Sequence, residues 1–325
     1  MKRRDFIKAA GLALAWPQAR AQDRIRRVGV LMNFAADDPR VKAHLEKFRR
    51  GLVQLGWSEG RNIQLDIRYG NSNPDLYPVR AKELVASNPE VIVGSTTPVV
   101  AALRRETRTI PVVFISVSDP IGSGFIASLA RPGDNTTGLM LYEPGIVGKW
   151  LAMLKEIAPQ LVRAALMANP KTTPFDYFVQ SAKATGSSLD IEAVPTPVAG
   201  VADIERTISS FAMVPNGGLV ILASSTLSAN QDLVVGLAAR YRLPAVYADR
   251  DFVTAGGLMS YSTEISDLSG QAAFYVDRIL KGEKPADLPV QAPTKYETTL
   301  NLTTAKALGL SVPSSLLVRA DKVIE

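Results

Sequence analysis

The sequence contains no cysteine and only one histidine, His44, among its 325 residues. The absence of cysteine excludes disulfides, thiolate metal sites and a lipid anchor on a cysteine. Because the single histidine falls inside a predicted helix, away from the strand ends, a Ser-His-Asp triad and a histidine metal site are both disfavoured. The sequence also lacks G-x-x-x-x-G-K-[ST], G-x-S-x-G, H-E-x-x-H and a helix-opening G-x-G-x-x-G. We therefore expect no metal and no cofactor.

The first 22 residues have the three-part layout of a secretory signal peptide. A charged start precedes an apolar stretch from Ala9 to Trp16 and a small-x-small triplet at residues 19–21, so cleavage is expected before residue 22 or 23. Arg3 and Arg4, followed by Asp-Phe-Ile-Lys, resemble the twin-arginine export signal. The alternative is an amphipathic N-terminal helix of a cytosolic protein. The layout predicts a signal peptide over residues 1–22 and a mature protein in the periplasm or outside the cell.

The formal net charge of +6 comes mostly from this leader. Residues 1–22 contain five basic side chains and one acidic side chain, so the mature chain carries a charge of only +2. Such a balance gives no basic surface for nucleic acid. No later stretch is long and apolar enough to insert into a bilayer. Nucleic-acid and membrane-surface partners are therefore not expected.

Short β-rich runs alternate with helical runs through the mature chain, a rhythm typical of a doubly wound parallel sheet. In the first half the predicted strands are 28–33, 62–68, 91–94 and 111–115, separated by helices at 38–55, 75–87 and 98–107. Gly56 is predicted to end the first helix in the left-handed conformation. After an interruption at residues 118–140 the second half begins with a helix at 143–157. It continues with strands at 164–168, 189–194, 219–223, 245–247 and 257–261, and with helices at 174–185, 201–212, 227–240 and 265–281.

Polar side chains follow most of these predicted strands. The carboxyl ends of parallel strands meet at one edge of a sheet, where open α/β folds bind their ligands. The sequence therefore predicts a pocket for a small polar ligand there. Its candidate polar residues are Asn33, Ser95, Thr96, Thr97, Asp119, Asn169, Ser224, Ser225 and Asp249.

The run Ser95-Thr96-Thr97-Pro98 places hydroxyls before a proline that suits the first turn of a helix, where outward N–H groups favour a carboxylate or phosphate. Plain helix capping explains the same residues, and Ser224-Ser225-Thr226 repeats the arrangement. Asp119 and Asp249 each have two possible roles as well, because either carboxylate could pair with a ligand ammonium or make local capping bonds.

Aromatic side chains near the same strand ends could stack on a ligand. Phe34, Phe175 and Tyr247 are our candidates, and for each of them packing in the core is the alternative.

Several stretches resemble a known family. They are residues 91–95, 111–114, 118–124, 129–133, 135–138, 270–273, 276–290 and 301–310. Together they are similar to the substrate-binding proteins of bacterial ABC importers, and more narrowly to the branch that includes tryptophan- and tyrosine-binding types. The resemblance extends over essentially the whole mature chain.

This resemblance implies a type I periplasmic-binding-protein fold, in which two doubly wound α/β lobes with a hinge enclose one ligand. The implied N-terminal lobe is 23–140 plus 263–290, and the C-terminal lobe is 141–262 plus 291–325. The implied ligand is small and polar, such as an amino acid or a related aromatic or aliphatic carboxylate, and the implied partner is an ABC permease in the inner membrane. A monomer that closes about its hinge is expected, with Asn33, Ser95, Thr96, Asp119, Asn169 and Ser224 at the pocket.

The resemblance and the residues together predict that an α-carboxylate binds at residues 95–97 and that an α-ammonium pairs with Asp119 or with an acid of the second lobe. Two other functions stay open. A sensory module could use the same fold without transport, and a periplasmic hydrolase could use carboxylate chemistry between Asp119 and Asp249.

Overall fold

The computed structural model describes residues 25–325, so the predicted signal peptide at residues 1–22 lies outside the described part. The first lobe is built on a parallel five-stranded sheet with the order β2-β1-β3-β4-β5. Its strands are β1 (Arg26–Met32), β2 (Ile63–Tyr69), β3 (Val91–Ser95), β4 (Val112–Val117) and β5 (Thr136–Met140). Its helices are α1 (Pro39–Gln54), α2 (Leu76–Ala86) and α3 (Thr97–Glu106).

The second lobe has a seven-stranded sheet with the order β12-β11-β10-β9-β8-β6-β7, in which only β10 and β11 pair antiparallel. Its strands are β6 (Arg163–Ala168), β7 (Glu192–Pro197), β8 (Gly217–Ile221), β9 (Ala245–Tyr247), β10 (Met259–Ser262), β11 (Glu297–Asn301) and β12 (Lys322–Ile324). The remaining helices are α4 (Ile146–Ile157), α5 (Phe175–Gly186), α6 (Val201–Ala212), α7 (Ser225–Ser228), α8 (Gln231–Arg240), α9 (Asp251–Thr254), α10 (Ile265–Leu280), α11 (Leu302–Leu308) and α12 (Ser314–Arg319). The mixed α/β class with two sheets confirms the predicted fold class.

Both faces of the first sheet are covered by helices, which explains why its inner strands β3 and β4 are buried, mostly apolar runs. On one face α1 packs with α10 against β1 and β3, through residues such as Leu45 and Ala272. On the other face α2 and α3 pack through Leu84 and Val99. Gly56 has φ +90° directly after α1, as its predicted capping role requires.

Strand β5 is absent from the sequence prediction, which treated residues 118–140 as an interruption. The strand contains Gly138, which disfavours a strand prediction because glycine has no side chain to pack. Here the glycine is required, since its φ is +150° and a Cβ would lie 2.1 Å from the carbonyl oxygen of Phe114 on β4. Close approach of the two backbones thus replaces side-chain packing at this position.

Two other boundary predictions were wrong. The strand predicted at 189–194 is β7 (Glu192–Pro197), preceded by a 3-10 turn at Ser187–Leu189 and by Asp190 in the left-handed region. The strand contains prolines 195 and 197, which are tolerated because β7 is an edge strand, where a residue without an N–H loses no ladder bond. The helix predicted at 227–240 is divided into α7 and α8.

Within the described residues, the chain passes three times between the two sheets. It leaves the first sheet after β5, returns from β10 to α10, which packs on α1, and leaves again to enter β11. Near the last crossing, Gln291 forms an isolated bridge with Leu139 of β5. The lobe boundaries predicted at 140, 262 and 290 remain a proposal that this sheet membership supports. Among residues 25–325 no helix is long and apolar enough to cross a membrane.

Candidate functional site

A cavity of about 340 Å³ lies between the two lobes, at the carboxyl edges of both sheets. This volume is in the range of small-molecule sites. Most of the polar residues predicted from the strand ends come together on its wall. The predicted residues that line it are Asn33, Phe34, Ser95, Thr96, Thr97, Ser224, Ser225 and Asp249.

The two lobes present the same hydrogen bond to this cavity. At the end of β1, the backbone N–H of Asn33 donates to Ser95 Oγ at 2.9 Å. At the end of β6, the backbone N–H of Asn169 donates to Ser224 Oγ at 3.3 Å. In each lobe the asparagine and the serine follow neighbouring parallel strands, β1 with β3 and β6 with β8. The duplicated architecture therefore places one serine at matching positions on opposite walls, and both serine hydroxyls are engaged inside their own lobe.

The hydroxyls directly after these serines have no such engagement. Thr96 Oγ1 and Ser225 Oγ are buried and find no hydrogen-bond partner within residues 25–325, and both residues line the cavity. Thr96 is held at φ +70°, an uncommon conformation for a β-branched residue, at the N-terminus of α3. Because buried hydroxyls are normally hydrogen-bonded, the missing partners make this pair, one hydroxyl from each lobe, the candidate hydrogen-bond donors for a ligand.

Asp249 is an acid of the second lobe that lines the cavity without an ion-pair partner among the described residues. Its Oδ1 accepts a hydrogen bond from the backbone N–H of Asp251 at 3.0 Å. Burial, together with the neighbouring Asp251 carboxylate, raises the pKa of Asp249, whereas Arg40 and Arg250 act in the opposite direction. A cationic group beside this carboxylate would favour its charged form.

The cations of the cavity wall are already paired. Arg40 donates from its Nε and Nη2 to the two carboxylate oxygens of Asp38, at 3.0 and 2.7 Å, and stacks 3.8 Å above the ring of Phe34. Arg250 binds Glu264 at 2.5 Å and approaches Glu297 at 3.4 Å. Among residues 25–325, the carboxylates of the cavity wall without an ion-pair partner are those of Asp249 and Asp251, and Asp249 is the less exposed of the two.

Four predicted residues do not line this cavity. Asp119 accepts a hydrogen bond from the backbone N–H of Gly122 at 2.8 Å, a local bond within a turn, because no helix begins there. Asn169 turns its side chain into its own lobe and bonds Thr226. Phe175 is 7% exposed and belongs to the core of the second lobe, while Tyr247 is 1% exposed and stacks on Phe252. For both aromatics, core packing is the role that the structure gives.

Other lining residues were not selected from the sequence. Ser116 and Ser118 belong to the same strand-end run as Asp119, so the strand-end rule could have found them. A further group comes from α1, from α2 and from the segment that leads from β10 into α10, for which no local pattern signals a ligand site. They include Arg40, His44, Tyr77, Thr263, Glu264 and Ser266. Among residues 25–325 no group of three or more His, Asp or Glu side chains could hold a metal ion.

His44 lies on α1 with its Nδ1 2.6 Å from Ser269 Oγ of α10. Burial lowers the pKa of His44 from 6.5 to about 4, and the nearby Lys47 and Arg40 act in the same direction. The carboxylates of Glu264 and Asp38 oppose this shift without cancelling it. The imidazole is therefore neutral near pH 7.

This burial predicts a pH-dependent stability. The unfolded chain binds the His44 proton below pH about 6.5 and the folded chain only near pH 4, so the folded state loses stability as the pH falls through that window. We expect His44 to lower the free energy of unfolding by about 2 kcal/mol between pH 7 and pH 5. Urea denaturation of the wild type and of His44→Gln at both pH values measures this, and equal losses in the two proteins would contradict the prediction.

Two doubly wound α/β lobes that enclose a cavity and are joined by three crossing segments define the type I periplasmic-binding-protein fold. The chain belongs to the ABC transporter substrate binding protein family, whose model matches residues 28–324.

Three relatives illustrate the likeness. A tyrosine-binding protein of Clostridioides difficile strain R20291 is 22% identical over 291 residues, which cover 86% of this chain and 82% of the relative. The crystal structure of an ABC domain in complex with L-Trp from Streptococcus pneumoniae has a TM-score of 0.84 at 23% identity, covering 92% of this chain and 100% of that one. A ligand-free, open substrate-binding protein of Clostridium difficile has a TM-score of 0.69, also at 23% identity, covering 92% and 99%.

Proposed function

We propose that this protein is the periplasmic solute-binding component of an ABC importer and that it binds an amino acid between its lobes. The observation that carries the proposal is the pair of unpartnered buried hydroxyls, Thr96 of the first lobe and Ser225 of the second, which belong to residues that line the same cavity as the unpaired acid Asp249. A zwitterion supplies both complements, because its carboxylate accepts hydrogen bonds and its ammonium carries the missing positive charge.

In this proposal the α-carboxylate accepts from Thr96 Oγ1, from Ser225 Oγ and from the N–H groups at the start of α3. The helix dipole adds a favourable interaction with an anion at that position. The α-ammonium pairs with Asp249 rather than with Asp119, because Asp119 does not line the cavity. The paired state of Arg40 and Arg250 leaves no free cation for a second carboxylate.

Hinge closure follows from a ligand that contacts both lobes. Such a ligand has its full set of contacts only in the closed arrangement, so binding shifts the population towards it. Two of the similar structures support this view. At the same identity and coverage, the TM-score is 0.84 with the L-Trp complex and 0.69 with the ligand-free, open protein.

Export and partner complete the proposal. The leader at residues 1–22 supports a periplasmic location, and the family supports a membrane permease as the partner of a monomeric binding protein. The hydrolase alternative loses its carboxylate pair, since Asp119 does not line the cavity with Asp249. We therefore propose a role in binding rather than in catalysis.

Thermal unfolding of the mature chain against the twenty amino acids tests this function. An amino acid at 100 times its Kd stabilises the fold by about 2.7 kcal/mol, which raises the Tm by several degrees. Matched control ligands are the decarboxylated amine and the deaminated acid of any amino acid that binds, and we expect each to bind much more weakly. Stabilisation by sugars or polyamines alone, with none by amino acids, would refute the proposal.

A further inference from the structure

The cavity has a second polar end, formed by α1 and by the segment that leads into α10. Helices α1 and α10 cover one face of the first sheet, whereas α2 and α3 cover the other. Thr96 at the start of α3 is thus on the opposite side of the sheet edge from His44 of α1. Because both residues line the same cavity, the cavity extends around this edge. We call the end that is lined by His44, Thr263, Glu264 and Ser266 the hinge-side end.

Thr263 carries a third buried hydroxyl that has no hydrogen-bond partner within residues 25–325. Its side chain is 7% exposed, and the residue lies on the crossing between β10 and α10. A hydroxyl buried in a folded protein without a partner is unfavourable, so it gains from any ligand group that reaches it. The α-carboxylate, placed at Thr96 and Ser225, is assigned to the other end.

The charges at the hinge-side end favour a neutral ligand group over an anion. Glu264 brings a carboxylate to the cavity wall, and its positive partners are Arg250 at 2.5 Å and Lys47 at 4.0 Å. The hydroxyl of Ser266 also donates to Glu264. A ligand carboxylate here would face Glu264 without a free cation to compensate it, whereas a hydroxyl or an amide would meet no such repulsion.

We propose that Thr263 determines specificity by hydrogen bonding a neutral polar group at the far end of the ligand side chain. The ligand class is then an amino acid whose side chain ends in a hydroxyl or a primary amide rather than in hydrocarbon alone. This inference rests on the proposed function, because it takes the α-carboxylate to lie at Thr96 and Ser225. Its physical basis is that a site built to hydrogen-bond a ligand group rejects the analogue that lacks it.

Calorimetric titration of the mature chain with matched amino-acid pairs tests the inference. The pairs are L-tyrosine with L-phenylalanine, L-threonine with L-valine, and L-glutamine with L-methionine. In the pair that fits the cavity, we expect the polar member to bind at least about tenfold more tightly. Thr263→Val, which removes the hydroxyl at nearly constant volume, is expected to abolish that preference and to leave the Kd of the apolar member within about twofold.

Three further variants make the result specific. Thr263→Ser keeps the hydroxyl and is expected to keep the preference, and Thr263→Ala replaces the valine variant if that protein does not fold. Ser260→Ala is the matched control, because Ser260 Oγ on β10 is likewise buried and unpartnered but does not line the cavity. We expect it to leave both Kd values unchanged.

Three results would overturn the inference. Equal affinities within every pair in the wild type would show that no side-chain group is recognised. If Thr263→Val weakens the binding of both members of a pair equally, the Thr263 hydroxyl binds a group that all amino acids share. If no amino acid binds at all, the proposed function is wrong and the inference fails with it. If amino acids bind without preference within the pairs, only the inference is wrong.

Discussion

Asp249→Asn is expected to weaken amino-acid binding by roughly 1.5–3 kcal/mol, or about ten- to a hundredfold in Kd. The reason is that the ligand ammonium would lose a carboxylate of the cavity wall that has no ion-pair partner among the described residues. Asparagine keeps the Oδ1 that accepts from the N–H of Asp251. Because burial disfavours the charge of Asp249 in the protein alone, we expect the free energy of unfolding without ligand to stay equal or to rise. Isothermal titration and urea denaturation measure the two quantities.

Asp119→Asn is the matched control for this experiment. Both acids follow strands and both could be assigned to the ammonium from the sequence, yet Asp119 bonds the N–H of Gly122 and does not line the cavity. The asparagine preserves that turn, so the Kd should not change. A large effect of Asp119→Asn together with none of Asp249→Asn would show that the ammonium assignment is wrong.

Removing both unpartnered hydroxyls, in Thr96→Val with Ser225→Ala, is expected to have the largest effect on binding. Each single change removes one hydrogen bond to a charged group, worth roughly 1.5–3 kcal/mol, so each should raise the Kd about tenfold or more. Because the two hydroxyls come from different lobes, losing both also weakens the link that holds the lobes together around the ligand. Isothermal titration of the two single variants and the double variant measures the affinity.

The double-mutant cycle separates a shared target from two independent ones. If Thr96 and Ser225 bind the same carboxylate, the two effects should couple and not simply add. Small-angle scattering of the double variant should also show less compaction on adding ligand than the wild type does. Ser260→Ala serves again as the control, since it deletes a buried unpartnered hydroxyl outside the cavity. If the double variant binds with unchanged affinity, the two unpartnered hydroxyls do not bind the ligand, and the proposed function loses its main support.

The local pattern of the sequence was enough to predict most of the fold. The continuous apolar run of β1 is typical of a buried strand, and the spacing of the apolar residues in α1 is typical of a helix. Gly56 marks the end of that helix, because few other residues adopt its positive φ. The prediction failed where a neighbouring strand decides the outcome. Gly138 suits a strand only because the backbone of Phe114 lies against it, and β7 tolerates its prolines only because it is at the edge of the sheet.

The candidate site likewise has a part that the local sequence predicts and a part that only the packing of the chain decides. The sequence alone determined the strand-end hydroxyls, Thr96 and Ser225 among them, because parallel strands always bring their carboxyl ends to one edge. Only the tertiary structure decided that Asp249 lines the cavity while Asp119 closes a turn, and that Tyr247 is core. It also brought His44 and Thr263 to one wall, although they are far apart in the chain. Such choices depend on how two lobes and three crossings pack together, and no local period of a sequence records a contact made over that distance.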